Sequence, residues 1–147
     1  VERIKLKDIL KSVKVLLKDL LIKYKIDLQE EFNEEIELIV NPNEFKHIFI
    51  NLISNAKDIF ELMDIKDRFI YVEAKKEENK TIISVKDNGG GIQDEFIDKI
   101  FDANFTTQEL MNGTGMGLYM SKLIATKYGG DLIAKNWEKG AEFILTI

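Results

Sequence analysis

Strand-forming segments occur in pairs along this chain, and a helix-forming segment separates each pair from the next. Alternating apolar and polar residues predict strands over residues 26–32 and 36–40, 69–75 and 81–86, and 132–136 and 142–147. Apolar residues at helical spacing predict helices over residues 6–24, 44–63 and 116–128. Paired strands favour antiparallel neighbours, whereas a parallel sheet needs a helix between successive strands. The pattern therefore predicts an α+β fold, a two-layer sandwich in which a mixed, antiparallel-rich sheet packs against helices on one face.

The composition is that of one soluble domain, and we treat residues 1–147 as a single unit. Hydrophobic residues make up 45% of the chain and charged residues 32%, and the net charge is −5. An acidic balance argues against a nucleic-acid binder that works through a basic surface. The absence of cysteine excludes disulfides, thiolate metal sites and a cysteine nucleophile. No apolar run approaches the ~20 residues of a membrane span, and the charged N-terminus lacks both a signal-peptide pattern and an initiator methionine. We therefore expect a piece of a longer protein.

Two asparagines on the second helix are candidates for a metal–phosphate site. Asn51 and Asn55 lie four residues apart and share one helix face, and Asp58 falls on the same face. Asparagine disfavours helix interiors, and Mg²⁺ needs few protein ligands because waters and phosphate oxygens fill its other positions. Taken alone, such a pair more often caps or bridges neighbouring loops. His47 is the only histidine, and without an orienting partner it is more often a packed side chain than a nucleophile.

Two glycine-rich segments are candidates for nucleotide contacts. Residues 87–91 read DNGGG after a strand, where an aspartate fixed by a glycine turn can accept a hydrogen bond from an adenine amino group. The alternative is a plain Asn-Gly turn. Residues 113–117 read GTGMG before a helix, where successive backbone N–H groups can bind phosphate, and the alternative is a flexible hinge. Between them, Phe101 and Phe105 are spaced like the anchors of a mobile lid, or like the core of a short surface helix.

In their order and spacing these segments resemble the N, G1, F and G2 boxes of bacterial sensor histidine kinases. The resembling stretches are the asparagine helix, DNGGGI, FxxxFTT and GTGMGL, and the likeness extends from LKDILKSVKVLLKDLL to GGDLIAKNWEKGAEFILTI. These kinases belong to an ATPase superfamily that also includes gyrase, mismatch-repair ATPases and a heat-shock chaperone. The resemblance implies their Bergerat fold, Mg-ATP as the cofactor and the role of a catalytic and ATP-binding domain. The P-loop, dinucleotide-binding and common protein-kinase motifs are absent from the sequence.

The resemblance also implies which residues form the site. Asn55 is expected to bind magnesium, Asn51 to support the phosphates and Asp58 to assist near the metal. Asp87 is expected to bind the adenine amino group. The adenine pocket and a lid over about residues 92–112 are then expected to include Gly89, Gly91, Ile92, Phe101, Phe105, Thr106 and Thr107. The triphosphate is expected to meet the loop formed by Gly113, Thr114, Gly115, Met116, Gly117 and Leu118.

Four positions depart from the family pattern. Ala103 and Asn104 stand where proline and phenylalanine are common in the F box, and Gln108 stands where a basic residue often helps to hold the γ-phosphate. Ala141 stands where a threonine often supports the adenine pocket. A lid without that cation is expected to hold the γ-phosphate less firmly.

The resemblance implies a place in two-component signal transduction. A histidine on a separate dimerisation domain of the same protein is expected to attack the γ-phosphate, and the phosphoryl group then passes to a response regulator. We expect the full protein to be a homodimer and this fragment to be a cytoplasmic monomer, whether or not the full sensor is anchored in a membrane. We also expect the fragment to bind ATP without phosphorylating itself. The alternatives are a serine-directed kinase or ATPase of the same superfamily, and a nucleotide-binding scaffold without activity.

Overall fold

The chain folds into a five-stranded sheet, a small two-stranded sheet and helices that pack on one side. In the computed structural model, residues 1–103 and 117–147 are described. The strands are β1 (Glu2–Lys5), β2 (Ile26–Glu31), β3 (Glu37–Val40), β4 (Arg68–Glu77), β5 (Lys80–Asp87), β6 (Asp131–Trp137) and β7 (Gly140–Thr146). The helices are α1 (Leu6–Leu16), α2 (Lys18–Lys23), α3 (Pro42–Leu62) and α4 (Gly117–Lys127).

The larger sheet has the strand order β2-β4-β5-β7-β6. Strand β2 runs parallel to β4, and all the other neighbours are antiparallel. Alternate residues of the strands turn one face towards the helices and form one core with them; this buried set includes Ile70, Val72, Ile83, Val85, Phe143 and Leu145. The sheet is therefore mixed and antiparallel-rich with helices on one face, which confirms the predicted fold class.

Helix α3 crosses the middle of the core. Its first turn is capped by Asn41, whose side chain accepts from the backbone N–H groups of Asn43 (2.9 Å) and Glu44 (3.3 Å), and Pro42 occupies the first helical position. The predicted start at residue 44 is therefore two residues late. One face is buried, through Phe45, Ile48, Phe49, Leu52, Ile53, Ala56 and Phe60. The opposite face carries the two asparagines.

The first forty residues differ most from the sequence prediction. The single helix predicted over residues 6–24 is two helices, α1 and α2, separated by a turn at Leu17. Leu16 before this turn is 63% exposed, whereas Leu20 and Leu21 after it pack on the core. Strand β1 was not predicted, and it pairs with β3 rather than with the larger sheet. Its four residues are too few for alternation to show. No helix among residues 1–103 and 117–147 has the length and apolarity needed to cross a bilayer.

Candidate functional site

A stripe of side chains along α3 runs between two glycine-containing segments. Asn51, Asn55, Ile59 and Met63 recur every four residues on the helix and its C-cap. At one end, the Asn51 Nδ2 donates to the Gly117 carbonyl and to the Ser121 hydroxyl, both at 3.2 Å, and so contacts the first turn of α4.

At its other end the stripe meets the turn that follows β5. A Cβ built on Gly89 would lie 2.6 Å from Ile59 Cγ2, and one built on Gly90 would lie 3.9 Å from Met63 Cε. Asn51 and Ile59 are eight residues apart, which is about 12 Å along a helix. Asn55 therefore lies midway between the glycine turn and the start of α4, about 6 Å along the axis from each contact.

Asn55 is the member of this stripe best placed to bind a ligand. It is half-buried, and its side-chain amide makes no hydrogen bond to any residue in 1–103 or 117–147. Asn51, in contrast, already uses its amide nitrogen to hold α4. An amide oxygen is a suitable Mg²⁺ ligand when phosphate and water oxygens fill the other positions. The described residues include no cluster of three carboxylate or histidine side chains that could hold a metal, so a cation here depends on such outside oxygens.

Asp87 ends β5 with its side chain turned into the protein. The residue is only 7% exposed, and its Oδ1 accepts from the Gly89 N–H at 2.9 Å. Burial raises the pKa of the Asp87 carboxyl, and hydrogen bonds from the Gly89 and Ala141 N–H groups oppose that rise. No lysine or arginine among the described residues pairs with it. A buried carboxylate without a cation is suited to a ligand that donates a hydrogen bond, such as an amino group.

The turn between β6 and β7 packs directly on Asp87. The Trp137 indole N–H donates to the Asp87 carbonyl at 2.8 Å. A Cβ on Gly140 would lie 2.1 Å from the same carbonyl oxygen, so only glycine fits there without a shift. Trp137 and Gly140 lie between two predicted strands and have no role in the sequence prediction, although the next residue, Ala141, stands at a family position that supports the adenine pocket.

The segment after the glycine turn is held by β6. Gly90 and Gly91 have φ angles of +98° and +87°, a region that favours glycine. The Asn136 side chain accepts from the Ile92 N–H at 2.7 Å and donates from Nδ2 to the Ile92 carbonyl at 2.8 Å. Asn136 is a third residue that sequence reasoning missed. No sequence pattern marks it, because a single asparagine in a strand is unremarkable without its partner.

Phe101 anchors the described part of the predicted lid to the sheet. Its ring meets Phe143 edge-on, with centroids 6.3 Å apart, and the Lys122 ammonium lies 4.7 Å from the Phe101 centroid. Ile100 beside it is buried. Phe101 is thus an apolar anchor on β7 and α4, and its place in the lid stays a prediction.

Not all the predicted site residues come together. Asp58 forms an ion pair with Lys57 at 2.6 Å, and the Lys57 ammonium lies 5.1 Å from the Tyr24 ring centroid, so its metal-assisting role stays a prediction. Leu118 lies in the first turn of α4 beside Gly117. Other predicted residues lie outside the described part of the chain: Asn104, Phe105, Thr106, Thr107, Gln108, Gly113, Thr114, Gly115 and Met116.

The opposite face of the sheet carries paired polar groups rather than a converging site. Lys86 contacts Glu73 at 3.1 Å, and Lys135 contacts Glu142 at 3.7 Å. Ser84 donates to the same Glu142. These groups lie on or beside an open cavity of about 650 Å³. Because Lys86 and Lys135 are each paired with a glutamate, neither is a free cation for the phosphates of a nucleotide.

Comparison with known sequences finds a matching family and similar curated proteins. The family described as histidine kinase-, DNA gyrase B-, and HSP90-like ATPase matches residues 40–147. Sporulation kinase C of Bacillus subtilis (strain 168) is 33% identical over 141 residues, which are 94% of this chain and 32% of that protein. Sensor protein ChvG of Agrobacterium fabrum is 31% identical over 135 residues, covering 88% of this chain and 22% of that protein. The chain thus spans no more than about a third of either relative.

Solved structures share the fold over almost the whole chain. The catalytic domain of histidine kinase ThkA superposes with a TM-score of 0.85 at 30% identity, covering 99% of this chain and 93% of that one. A structure of ThkA in complex with response regulator protein TrrA gives a TM-score of 0.78 at 27% identity, covering 99% of this chain and 40% of the ThkA chain.

Proposed function

Because this chain belongs to the histidine kinase-, DNA gyrase B-, and HSP90-like ATPase family, we propose that it binds Mg-ATP and phosphorylates a histidine. That histidine lies on a separate dimerisation domain of the same protein. ATP binding follows from the family, and the relatives are sensor kinases. The observation that carries the proposal is the α3 stripe, which puts Asn55 between the glycine turn beside Asp87 and the first turn of α4.

The adenine end of the nucleotide lies against the turn after β5. The Asp87 carboxylate accepts a hydrogen bond from the purine amino group, replacing water that this buried side chain has lost. Gly90 has no side chain and only Met63 Cε nearby, so the ring can approach the backbone there. Ile59 and Met63 supply apolar contacts next to that turn. Adenine is favoured over guanine because guanine presents a carbonyl where adenine presents its amino group.

The phosphate end of the nucleotide lies between Asn55 and the start of α4. The Asn55 oxygen would hold the magnesium ion, which would supply positive charge to offset that of the phosphates. Backbone N–H groups of Gly117 and Leu118 in the first turn of α4 are directed towards anionic oxygens, as helix N-termini favour. Asn51 keeps α4 in register with α3 and so fixes the distance between the two ends.

Phosphoryl transfer needs positioning and charge neutralisation more than covalent chemistry from this domain. The imidazole nitrogen of the acceptor histidine forms a bond to the γ-phosphorus as the bond to the bridging oxygen breaks, and ADP leaves. The phosphohistidine then passes its phosphoryl group to an aspartate of a response regulator. ThkA, which shares this fold, has been crystallised with the response regulator TrrA. We place the domain in the cytoplasm as part of a homodimeric sensor, with the isolated fragment monomeric.

Calorimetric titration with Mg-ATP tests the binding half of this proposal. We expect Asp87→Asn to weaken binding by about 1–3 kcal/mol, or roughly 5- to 150-fold, because an amide N–H then faces the purine amino group. Asp27→Asn makes the same chemical change at an exposed position of the edge strand β2 and is the matched control. Equal affinity of Asp87→Asn and the parent chain would remove the adenine assignment.

A phosphotransfer assay with an added dimerisation domain tests the chemical half. We expect an acid-labile phosphohistidine on the added domain and no modification of the isolated fragment. An acid-stable phosphoserine would instead indicate a serine-directed kinase, and tight binding without transfer would indicate a scaffold. Phosphorylation of His47, which is exposed on α3, would contradict the assignment of the acceptor to another domain.

A further inference from the structure

We propose that Asn136 is a positioning residue that sets the shape of the adenine pocket and the point where the lid leaves it. The proposal rests on the proposed function, because it concerns the same nucleotide site. Asn136 lies near the end of the edge strand β6 and is exposed, so packing in the core does not explain its contacts. We call its two hydrogen bonds to Ile92 the amide clasp.

The amide clasp reproduces the pairing that a neighbouring strand would give. The Ile92 N–H and carbonyl are both bonded to one side chain, at 2.7 and 2.8 Å, although Ile92 belongs to no strand. Only a primary amide offers a donor and an acceptor side by side at this length. Aspartate could accept from the N–H but would oppose the carbonyl, and leucine of similar size could do neither.

The position of the clasp matters because the chain before it is flexible by composition. Two successive glycines, Gly90 and Gly91, adopt positive φ angles and connect the start of the turn after β5 to Ile92. A Cβ on Gly91 would lie 2.9 Å from Asn136 Oδ1, so the clasp itself depends on glycine at this position. Glycine has more backbone freedom than any other residue, and the clasp removes that freedom just beyond the pair.

Residues 136–139, at the end of β6 and in the turn after it, hold the segment from residue 87 to residue 92 at three points. The Trp137 indole binds the Asp87 carbonyl, the Lys139 carbonyl accepts from the Gly90 N–H at 3.3 Å, and Asn136 binds Ile92. The first two points fix the turn beside the carboxylate, and the third fixes the direction in which the chain leaves it. Without the third, the glycine turn and the start of the lid can move together away from the adenine ring.

Asn136→Leu and Asn136→Asp test the clasp, with Asn79→Leu and Asn79→Asp at the exposed tip between β4 and β5 as matched controls. We expect either Asn136 variant to lose about tenfold in affinity for Mg-ATP, since small displacements of a binding group carry large penalties. The loss for uncharged adenosine should be of the same size, because the defect lies at the base end and not at the phosphates. The controls should bind both like the parent chain.

Hydrogen exchange distinguishes a local change at Ile92 from a general loss of stability. In the Asn136 variants the Ile92 amide should exchange faster, while the Trp137 indole N–H and the melting temperature stay unchanged. Nucleotide affinities within twofold of the parent, or a loss for Mg-ATP without one for adenosine, would overturn the proposal. If the parent chain itself fails to bind Mg-ATP, the proposed function is wrong, while Ile92 exchange still reports whether the clasp orders this turn.

Discussion

Substitutions at Gly89 and Ile59 test whether α3 packs against the turn after β5. Gly89 does not have a positive φ angle, so alanine is compatible with its backbone. The added Cβ would lie 2.6 Å from Ile59 Cγ2, which is closer than packed carbon atoms approach, and 3.1 Å from Asp87 Oδ1. Gly89→Ala therefore forces Ile59, the turn or both to move.

The expected loss in the free energy of unfolding follows from these distances. Overpacking by one methyl group costs about 1–3 kcal/mol in the free energy of unfolding. Ile59→Ala costs about 1–2 kcal/mol, less than a core isoleucine, because Ile59 is only half-buried. The double variant removes the clash with Cγ2 but keeps the close approach to Asp87. Its loss should therefore fall short of the sum of the single losses by about 1 kcal/mol.

Urea unfolding of the parent, the two single variants and the double variant measures this coupling. In thermal unfolding, 1 kcal/mol corresponds to about 2–4 °C for a chain of this size. Gly90→Ala is the control, because its φ is +98° and its Cβ would meet only Met63 Cε at 3.9 Å. It should be destabilising through backbone strain, and Ile59→Ala should not relieve it. Additive losses for Gly89→Ala and Ile59→Ala, within about 0.5 kcal/mol, would refute the packing of α3 on this turn.

Two further predictions concern buried charge. Arg68, whose side chain is 11% exposed, donates to the Ile65 carbonyl at 2.7 Å, the Tyr24 carbonyl at 3.0 Å and the Glu61 carboxylate at 2.8 Å. Arg68→Met should lower the free energy of unfolding by about 2–4 kcal/mol in urea titrations, and a loss below about 0.5 kcal/mol would show that these bonds contribute little. Because burial raises the pKa of Asp87, the folded state holds its proton more tightly than the unfolded state. Asp87 therefore contributes its full stabilisation below about pH 4, and this stabilisation is lost as the pH rises through the folded-state pKa. The free energy of unfolding of Asp87→Asn should accordingly increase relative to that of the parent as the pH rises towards neutrality. A difference that stays flat or shrinks with rising pH would contradict the burial argument.

The parts of the fold predicted correctly are those set by local sequence. Helix α3 and the hairpins β4–β5 and β6–β7 were found because their apolar periodicity and their turns lie within one short stretch. The parallel pairing of β2 with β4 was not, because the partners of a parallel strand are far apart in sequence and leave no local pattern. Strand β1 was missed because its four residues are too few to show alternation and because its antiparallel partner β3 lies beyond helices α1 and α2.

The candidate site divides in a similar way. Asn55 and Asp87 are site candidates because each lies in a short motif whose order along the chain resembles a known family. Asn136 and Trp137 were missed because they contact residues 44 and 50 positions away, which no motif contains, whereas Gly140 was missed although it precedes the family position of Ala141. The phosphate role of Asn51 stays a prediction, and its amide nitrogen donates to the first turn of α4.

A structure with Mg²⁺ and a non-hydrolysable ATP analogue tests the central claim most directly, since the account requires one cleft to hold both ends of the nucleotide. We predict the purine amino group at about 2.7–3.2 Å from the Asp87 carboxylate and the Asn55 oxygen at about 2.0–2.1 Å from the magnesium ion. A nucleotide bound elsewhere, for example in the cavity of about 650 Å³ on the opposite face of the sheet, would contradict the account. So would a nucleotide that contacts only one of these two side chains.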